Sequence, residues 1–171
     1  MNILKKLFVK ETPIQDISTS QLCNEISFFD CFAKDLLQAK EEVIIESPYI
    51  TLKRLKTFMP VFTKLMTKGV RVYIITKDPS EHNETLSMQA EAGIQYFEEL
   101  GIQVLLMKGG HHRKLALIDR KIAWEGSLNI LSQTQSREFM RRIECREITR
   151  ELFDFLQFNK LGIFKKELNL V

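Results

Sequence analysis

Three short β-type runs, at 43–45, 70–75 and 102–107, alternate with stretches whose apolar residues recur at helical spacing. The first such stretch carries Leu22, Ile26, Phe29, Phe32, Ala33, Leu36 and Leu37. The second carries Leu55, Met59, Phe62, Leu65 and Met66, and the third Leu86, Ala90, Ile94, Phe97 and Leu100. Gly69 and Gly101 stand where the second and third helices have to stop. Pro60 is expected in the first turn of the second helix, where its missing N–H is harmless. Amphipathic helices between buried strands admit few solutions, and crossovers onto a sheet with parallel strands is the principal one.

Beyond residue 107 the pattern changes. Runs at 114–118 and 122–125 flank a tight polar turn, which predicts a hairpin. A strand near 139–143 and a helix from about 146 to 158 follow. The expected fold is α/β, a mixed, largely parallel sheet flanked by helices on both faces. One catalytic domain is expected over 1–171, with an N-terminal extension at 1–20 and a C-terminal tail at 159–171.

Composition narrows the classes. With 171 residues, 44% hydrophobic and 27% charged, the chain can bury a core of its own. A net charge of +3 permits a nucleic-acid or anionic-membrane partner without demanding one. Cys23, Cys31 and Cys145 have no metal-ligand spacing and no pairing framework, so they read as reduced thiols. The apolar run from Leu7 to Val9 is too short for a signal-peptide core, and no stretch is long enough to span a membrane. A cytoplasmic protein without stable membrane association is expected.

The chemistry is concentrated after the third β run. Gly109 and Gly110, an ordinary turn or an anion-binding loop, precede His111-His112-Arg113-Lys114. Strand-like alternation puts His112 and Lys114 on one face, about 7 Å apart, and turns His111 and Arg113 the other way. Asp119 has the opposite parity to His112 and has to act from the turn. Gly126-Ser127-Leu128-Asn129 forms a small-residue bend with two hydrogen-bonding side chains. A neutral imidazole can attack phosphorus, an ammonium neutralises non-bridging oxygens, and Ser and Asn donate further hydrogen bonds. The set suits a phosphodiester.

The run His-x-Lys-x4-Asp-x6-Gly-Ser-x-Asn, from His112 to Asn129, resembles the signature of the phospholipase D superfamily. Val43-Ile44-Ile45-Glu46-Ser47-Pro48-Tyr49-Ile50 resembles the opening βα unit of its bacterial members, and about residues 25 to 145 are covered. The resemblance implies His112 as the nucleophile forming a phosphohistidine, and Lys114 as a phosphate ligand. It implies Ser127 and Asn129 as the lining of the phosphate site, and Asp119 as a motif residue holding the turn. An acidic residue that orients the histidine is implied as well, and Glu138 is the candidate. Two motifs per active site are implied, whereas this chain has one. His82 lies in a polar loop with no lysine two positions on and reads as a solvated residue. A homodimeric site is therefore expected.

No metal and no cofactor are expected, since no ligand cluster is present and the histidine–lysine pair supplies its own charge stabilisation. Arg137, Arg141, Arg142, Arg146 and Arg150 read equally as a basic nucleic-acid surface or as a solvated face paired with Glu144, Glu147 and Glu151. Lys53, Arg54 and Lys56 read as a solvated helix face more than a ligand site. No aromatic platform for unpaired bases stands out. The leading expectation is a metal-independent endonuclease acting on DNA or RNA, possible partners being a helicase or a restriction system. The alternatives are a phospholipid hydrolase or transferase, and a nucleic-acid-binding module of a helicase or restriction complex.

Overall fold

The segment Glu42–Glu46 is buried at every position, so it has to lie inside a sheet covered on both faces. In the computed structural model, which describes residues 19–132 and 136–161, it is the central strand β2. Its companions are β1 (Ser20–Asn24), β3 (Arg71–Lys77), β4 (Gln103–Met107), β5 (Leu115–Ile118), β6 (Ile122–Gly126) and β7 (Phe139–Glu144). They form one sheet in the order β1-β7-β6-β5-β2-β3-β4. The helices are α1 (Phe28–Gln38), α2 (Leu52–Thr67), α3 (Glu84–Glu99) and α4 (Arg146–Phe155). Most of the expected extension 1–20 and tail 159–171 lies outside the described residues.

Alternation along the strands sorts the core into two layers. Val43, Ile45, Val72, Ile74 and Trp124 meet Phe28, Phe32, Phe62 and Phe97 from α1, α2 and α3. Ile44, Tyr73, Ile75 and Leu117 face the other way, toward Phe153 of α4 and Phe158. Helices therefore flank both faces of a mixed sheet, as expected.

The balance of pairing differs from a largely parallel sheet. Parallel pairing is confined to β2–β3 and β3–β4, while β2–β5, β5–β6, β6–β7 and β1–β7 are antiparallel. The helical crossovers end at β4, and the later connections lack the helix that a return to parallel pairing requires.

Two local expectations are corrected as well. Leu22 belongs to β1 rather than to the first helix: Leu22 is 64% exposed while Cys23 is buried, a strand alternation that mimicked the start of a helical stripe. Pro60 lies inside α2, not in its first turn. The helix starts at Leu52 because the Thr51 hydroxyl accepts from the Arg54 N–H, and the charged residues Lys53, Arg54 and Lys56 hide that start.

The β5–β6 turn shows what Asp119 does. Asp119 and Arg120 both have positive φ, +50° and +46°, as a mirror-image hairpin turn requires. The Asp119 carboxylate accepts from the N–H groups of Lys40 (2.9 Å), Glu41 (2.8 Å) and Glu42 (2.9 Å). It ties the hairpin to the α1–β2 connection. Gly126 has a different reason for its identity: a Cβ there would come within 2.2 Å of the Phe139 carbonyl oxygen. Its close approach is to β7.

Three backbone donors converge on one carboxylate, and charged acceptors contribute more than neutral ones. Asp119→Ala is expected to lower unfolding free energy by about 2–3 kcal/mol, read from urea unfolding curves. A midpoint unchanged from wild type would show that the three amides are held by something else.

Candidate active site

The parallel strands bring their carboxyl ends to one edge of the sheet, and the chain leaving β4 has to cross that edge to begin β5. Three strand spacings separate β4 from β5 in the sheet, about 14 Å. Residues 108–114 make the crossing, and seven residues reach roughly 24 Å at most. That leaves slack for a turn at its start, and beyond the turn the side chains of residues 111–114 alternate as on a strand although none of the segment is one.

Its start is fixed from the β3 side. Gly109 and Gly110 have φ of +87° and +78°, which glycine alone adopts freely. Their N–H groups donate to the Glu81 carboxylate at 2.6 and 3.3 Å, and Lys77 lies 3.7 Å from Glu81. The pair of amides does cradle an anion, but the anion is the protein's own.

Next, His111 and Arg113 turn toward Glu46 at the end of β2. Arg113 donates to Glu46 Oε1 through Nε (2.9 Å) and a terminal nitrogen (2.7 Å). Burial pushes the Glu46 carboxyl up, and the Arg113 bonds oppose that. His111 Nε2 stands 3.4 Å from the same oxygen, yet the ring is pushed down to about 4 by burial and then by Arg113, Lys114 and His112. The two observations agree once Oε1 is seen to be committed already to two nitrogens of the Arg113 guanidinium, leaving little attraction for a second cation.

His112 and Lys114 take the opposite side. Lys114 Nζ lies 2.9 Å from His112 Nδ1 and 2.7 Å from the His112 carbonyl oxygen. Burial lowers the pKa of Lys114, and Glu138 opposes it. Nζ is also 3.3 Å from Nε2, so it is within hydrogen-bond distance of both ring nitrogens, and the tautomer decides which one accepts. Both side chains open onto a cleft of ≈ 770 Å³, lined also by Ser127, Asn129, Glu138 and Arg141.

The bend after β6 completes the lining. The Ser127 hydroxyl accepts from the Phe139 N–H (3.2 Å) and donates to Glu138. The Ser136 hydroxyl also donates to Glu138, at 2.7 Å. These hydroxyls, Ser127 first, hold the Glu138 carboxyl below the usual carboxylate range, with Lys114 adding to them. Asn129 Oδ1 is buried without a hydrogen-bond partner among the described residues.

The structure thus brings together His112, Lys114, Ser127, Asn129 and Glu138. It places Asp119 at the far end of β5, outside the cleft. The five arginines do not form one surface: Arg141 lines the cleft, Arg142 is bonded to Asp35 (2.7 Å) and Glu144 (3.1 Å), and Arg150 lies 3.9 Å from Asp154. Arg54 stacks over the Phe29 ring at 3.2 Å. Sequence reasoning missed Glu46 and Glu81; the one available signal was a carboxylate ending the apolar run 43–45. It also missed that Tyr49 sits with its ring 6.3 Å from that of His112, with His82 5.1 Å behind it. Among the described residues no three His, Cys, Asp or Glu side chains group as metal ligands, and no helix is long and apolar enough to cross a membrane.

Comparison with known proteins identifies the family and the fold. The family model described as "Cardiolipin synthase, PLD-like domain" matches residues 32–157. No curated protein matches the sequence. Among solved structures, NucT from Helicobacter pylori has a TM-score of 0.66 at 21% identity, over 81% of this chain and 92% of that one. Nuc from Salmonella typhimurium, described as a phospholipase D family member, has a TM-score of 0.66 at 17% identity, over 81% and 91%. Phosphatidylserine synthase from Haemophilus influenzae has 0.63 at 14%, over 84% of this chain but 38% of that one. At these identities the likeness is one of fold.

His111 generates a pH prediction. Its folded pKa of about 4 lies below the unfolded value of about 6.5. Between the two the unfolded chain binds more protons, so stability falls as pH drops from about 6.5 to 4. His111→Phe is expected to flatten that part of the stability profile, measured by urea unfolding at intervals of pH. Equal slopes in the two proteins would show that His111 accepts its proton without opening the fold.

Proposed function

Since the chain belongs to the phospholipase D-like family, we propose that it is a phosphodiesterase, an endonuclease cutting DNA or RNA without a metal. The observation that carries this is the His112–Lys114 contact at 2.9 Å in an open cleft. In this reading a phosphate enters the cleft and draws the Lys114 ammonium onto its non-bridging oxygens, which frees the imidazole lone pair. An imidazole nitrogen of His112 attacks phosphorus, an N–P bond forms and the P–O bond to the leaving alkoxide breaks. Water then attacks the phosphohistidine and the N–P bond breaks, releasing the other product. Asn129 donates to the phosphate, while Glu138, held by Ser127 and Ser136, sets the field around Lys114.

The leaving alkoxide needs a proton, and the attacking water has to lose one. A second copy of the chain supplies the partner histidine in this proposal, since His111 is committed to the Glu46 side. Lys114 and Arg141 on the cleft wall suit the phosphates of a polyanionic strand. NucT and Nuc, the neighbours matched over nearly their whole length, further support a nuclease. The cardiolipin synthase description of the matched family favours phospholipid hydrolysis or transfer as the second reading.

The deciding assay offers single- and double-stranded DNA, RNA and anionic phospholipid vesicles to the purified protein with chelator present. Nucleic-acid cleavage that survives chelation is expected; hydrolysis confined to vesicles would install the second reading. His112→Ala is expected to lower the rate by about three orders of magnitude or more, and Lys114→Ala by about 3–4 kcal/mol of transition-state stabilisation. A shared site adds a distinct signature. When wild type is refolded with excess His112→Ala, activity per total protein should fall as the square of the wild-type fraction. Proven heterodimers with a proportional fall would mean that each chain works alone.

A further inference from the structure

Beside the histidine lies an aromatic pair that the mechanism above does not use. Tyr49 and His82 are both partly buried, with ring centroids 5.1 Å apart and planes tilted by 33°. Tyr49 stands 6.3 Å from the His112 ring at 85°. Neither Tyr49 nor His82 belongs to the two apolar clusters of the core.

The His82 ring is held in place. It is hydrogen-bonded to the Pro48 backbone, and proline offers only a carbonyl, so a ring N–H is the donor. Nε2 is buried and has no hydrogen-bond partner among the described residues. That identifies Nδ1 as the donor and leaves an unused lone pair on Nε2. Burial, with Lys77 nearby, lowers the His82 pKa, which keeps the ring a neutral aromatic. The loop that carries His82 also carries Glu81, whose carboxylate grips Gly109 and Gly110. The stack and the His112 segment are therefore braced against the same loop.

We infer that Tyr49, backed by His82, is a stacking shelf for an unpaired nucleobase next to the phosphate held by His112 and Lys114, and that the substrate is single-stranded nucleic acid. The inference rests on the nuclease reading and narrows it. In a nucleotide the base lies one sugar away from its phosphate, which matches a ring set beside the nucleophile. A glycerophospholipid places no π face there. A base within a duplex has both faces covered by its neighbours, so only an unstacked base can use the shelf.

The experiment compares kcat/KM on two single-stranded oligomers of equal length and charge. One is oligothymidylate, and the other carries tetrahydrofuran abasic residues throughout. Wild type is expected to prefer the thymidylate oligomer by roughly 5- to 100-fold, the range that stacking on one aromatic supplies. Tyr49→Leu is expected to bring the ratio to about one, and Tyr49→Phe to retain the preference, because the face and not the hydroxyl is used. Equal rates on the two oligomers with wild type would overturn the shelf and leave the nuclease reading intact, whatever the folding of the variants. A preference that survives Tyr49→Leu would overturn it too. If neither oligomer is cut while phospholipid vesicles are hydrolysed, the nuclease reading fails and the shelf with it.

Discussion

A carboxylate buried at the end of the central strand governs this molecule. Glu46 has no solvent exposure, and an ionised carboxylate in that position is very unfavourable without a cation. The cation comes from Arg113, in the segment that crosses the sheet edge, and its fork of two nitrogens on one oxygen fixes direction as well as distance. Once Arg113 is drawn to Glu46, the alternation of an extended chain sends residues 112 and 114 to the opposite side. The histidine–lysine pair owes its position to a residue that takes no part in the chemistry.

The same device recurs around the fold. Glu81 holds the glycine pair at the head of the crossing segment, and Asp119 holds the α1–β2 connection at the far end of β5. Asp35 joins α1 to the sheet by accepting from Trp124 Nε1 (2.8 Å) and Arg142. Each of these carboxylates satisfies donors that would otherwise be left without partners. Acidic side chains are thus largely spent on connections, whereas Lys114 and Arg141 remain on the cleft wall. Lys114 and Arg141 share that wall with Glu125 and Glu138, so the positive charge offered to an anion is local to the lysine and the arginine.

Much of this was legible in the sequence where a period or a spacing carried it. The strands at 43–45, 70–75 and 102–107 and the helices between them follow from burial alternation, and the motif spacing from His112 to Asn129 assembled one wall of the cleft. What escaped has a physical cause in each case. Strand β1 is an edge strand with one buried residue, so Leu22 carried no strand signal. The pairing of β5 with β2 depends on where the crossing segment lands, which no local pattern records. Glu46 and Glu81 make contacts 67 and 28 residues away in sequence. His82 looked solvated in a polar loop, because its neighbour Tyr49 lies on another strand's end.

The resting contact between Lys114 and His112 also has a consequence for how the site meets its ligand. Lys114 is partly desolvated, which makes its charged form unfavourable, and its ammonium rests on an imidazole and a backbone carbonyl, neither of them a full anion. Glu138 could have neutralised it, but two serine hydroxyls already share that carboxylate. The lysine is therefore held at the open cleft with weaker partners than a phosphate would provide. In the proposed reaction an incoming phosphate would relieve the desolvation and release the imidazole lone pair in one movement of a side chain. Because Glu46 and Glu81 fix the backbone on which both groups stand, this exchange asks for no change of fold, and the electrostatic arrangement exists before the ligand arrives.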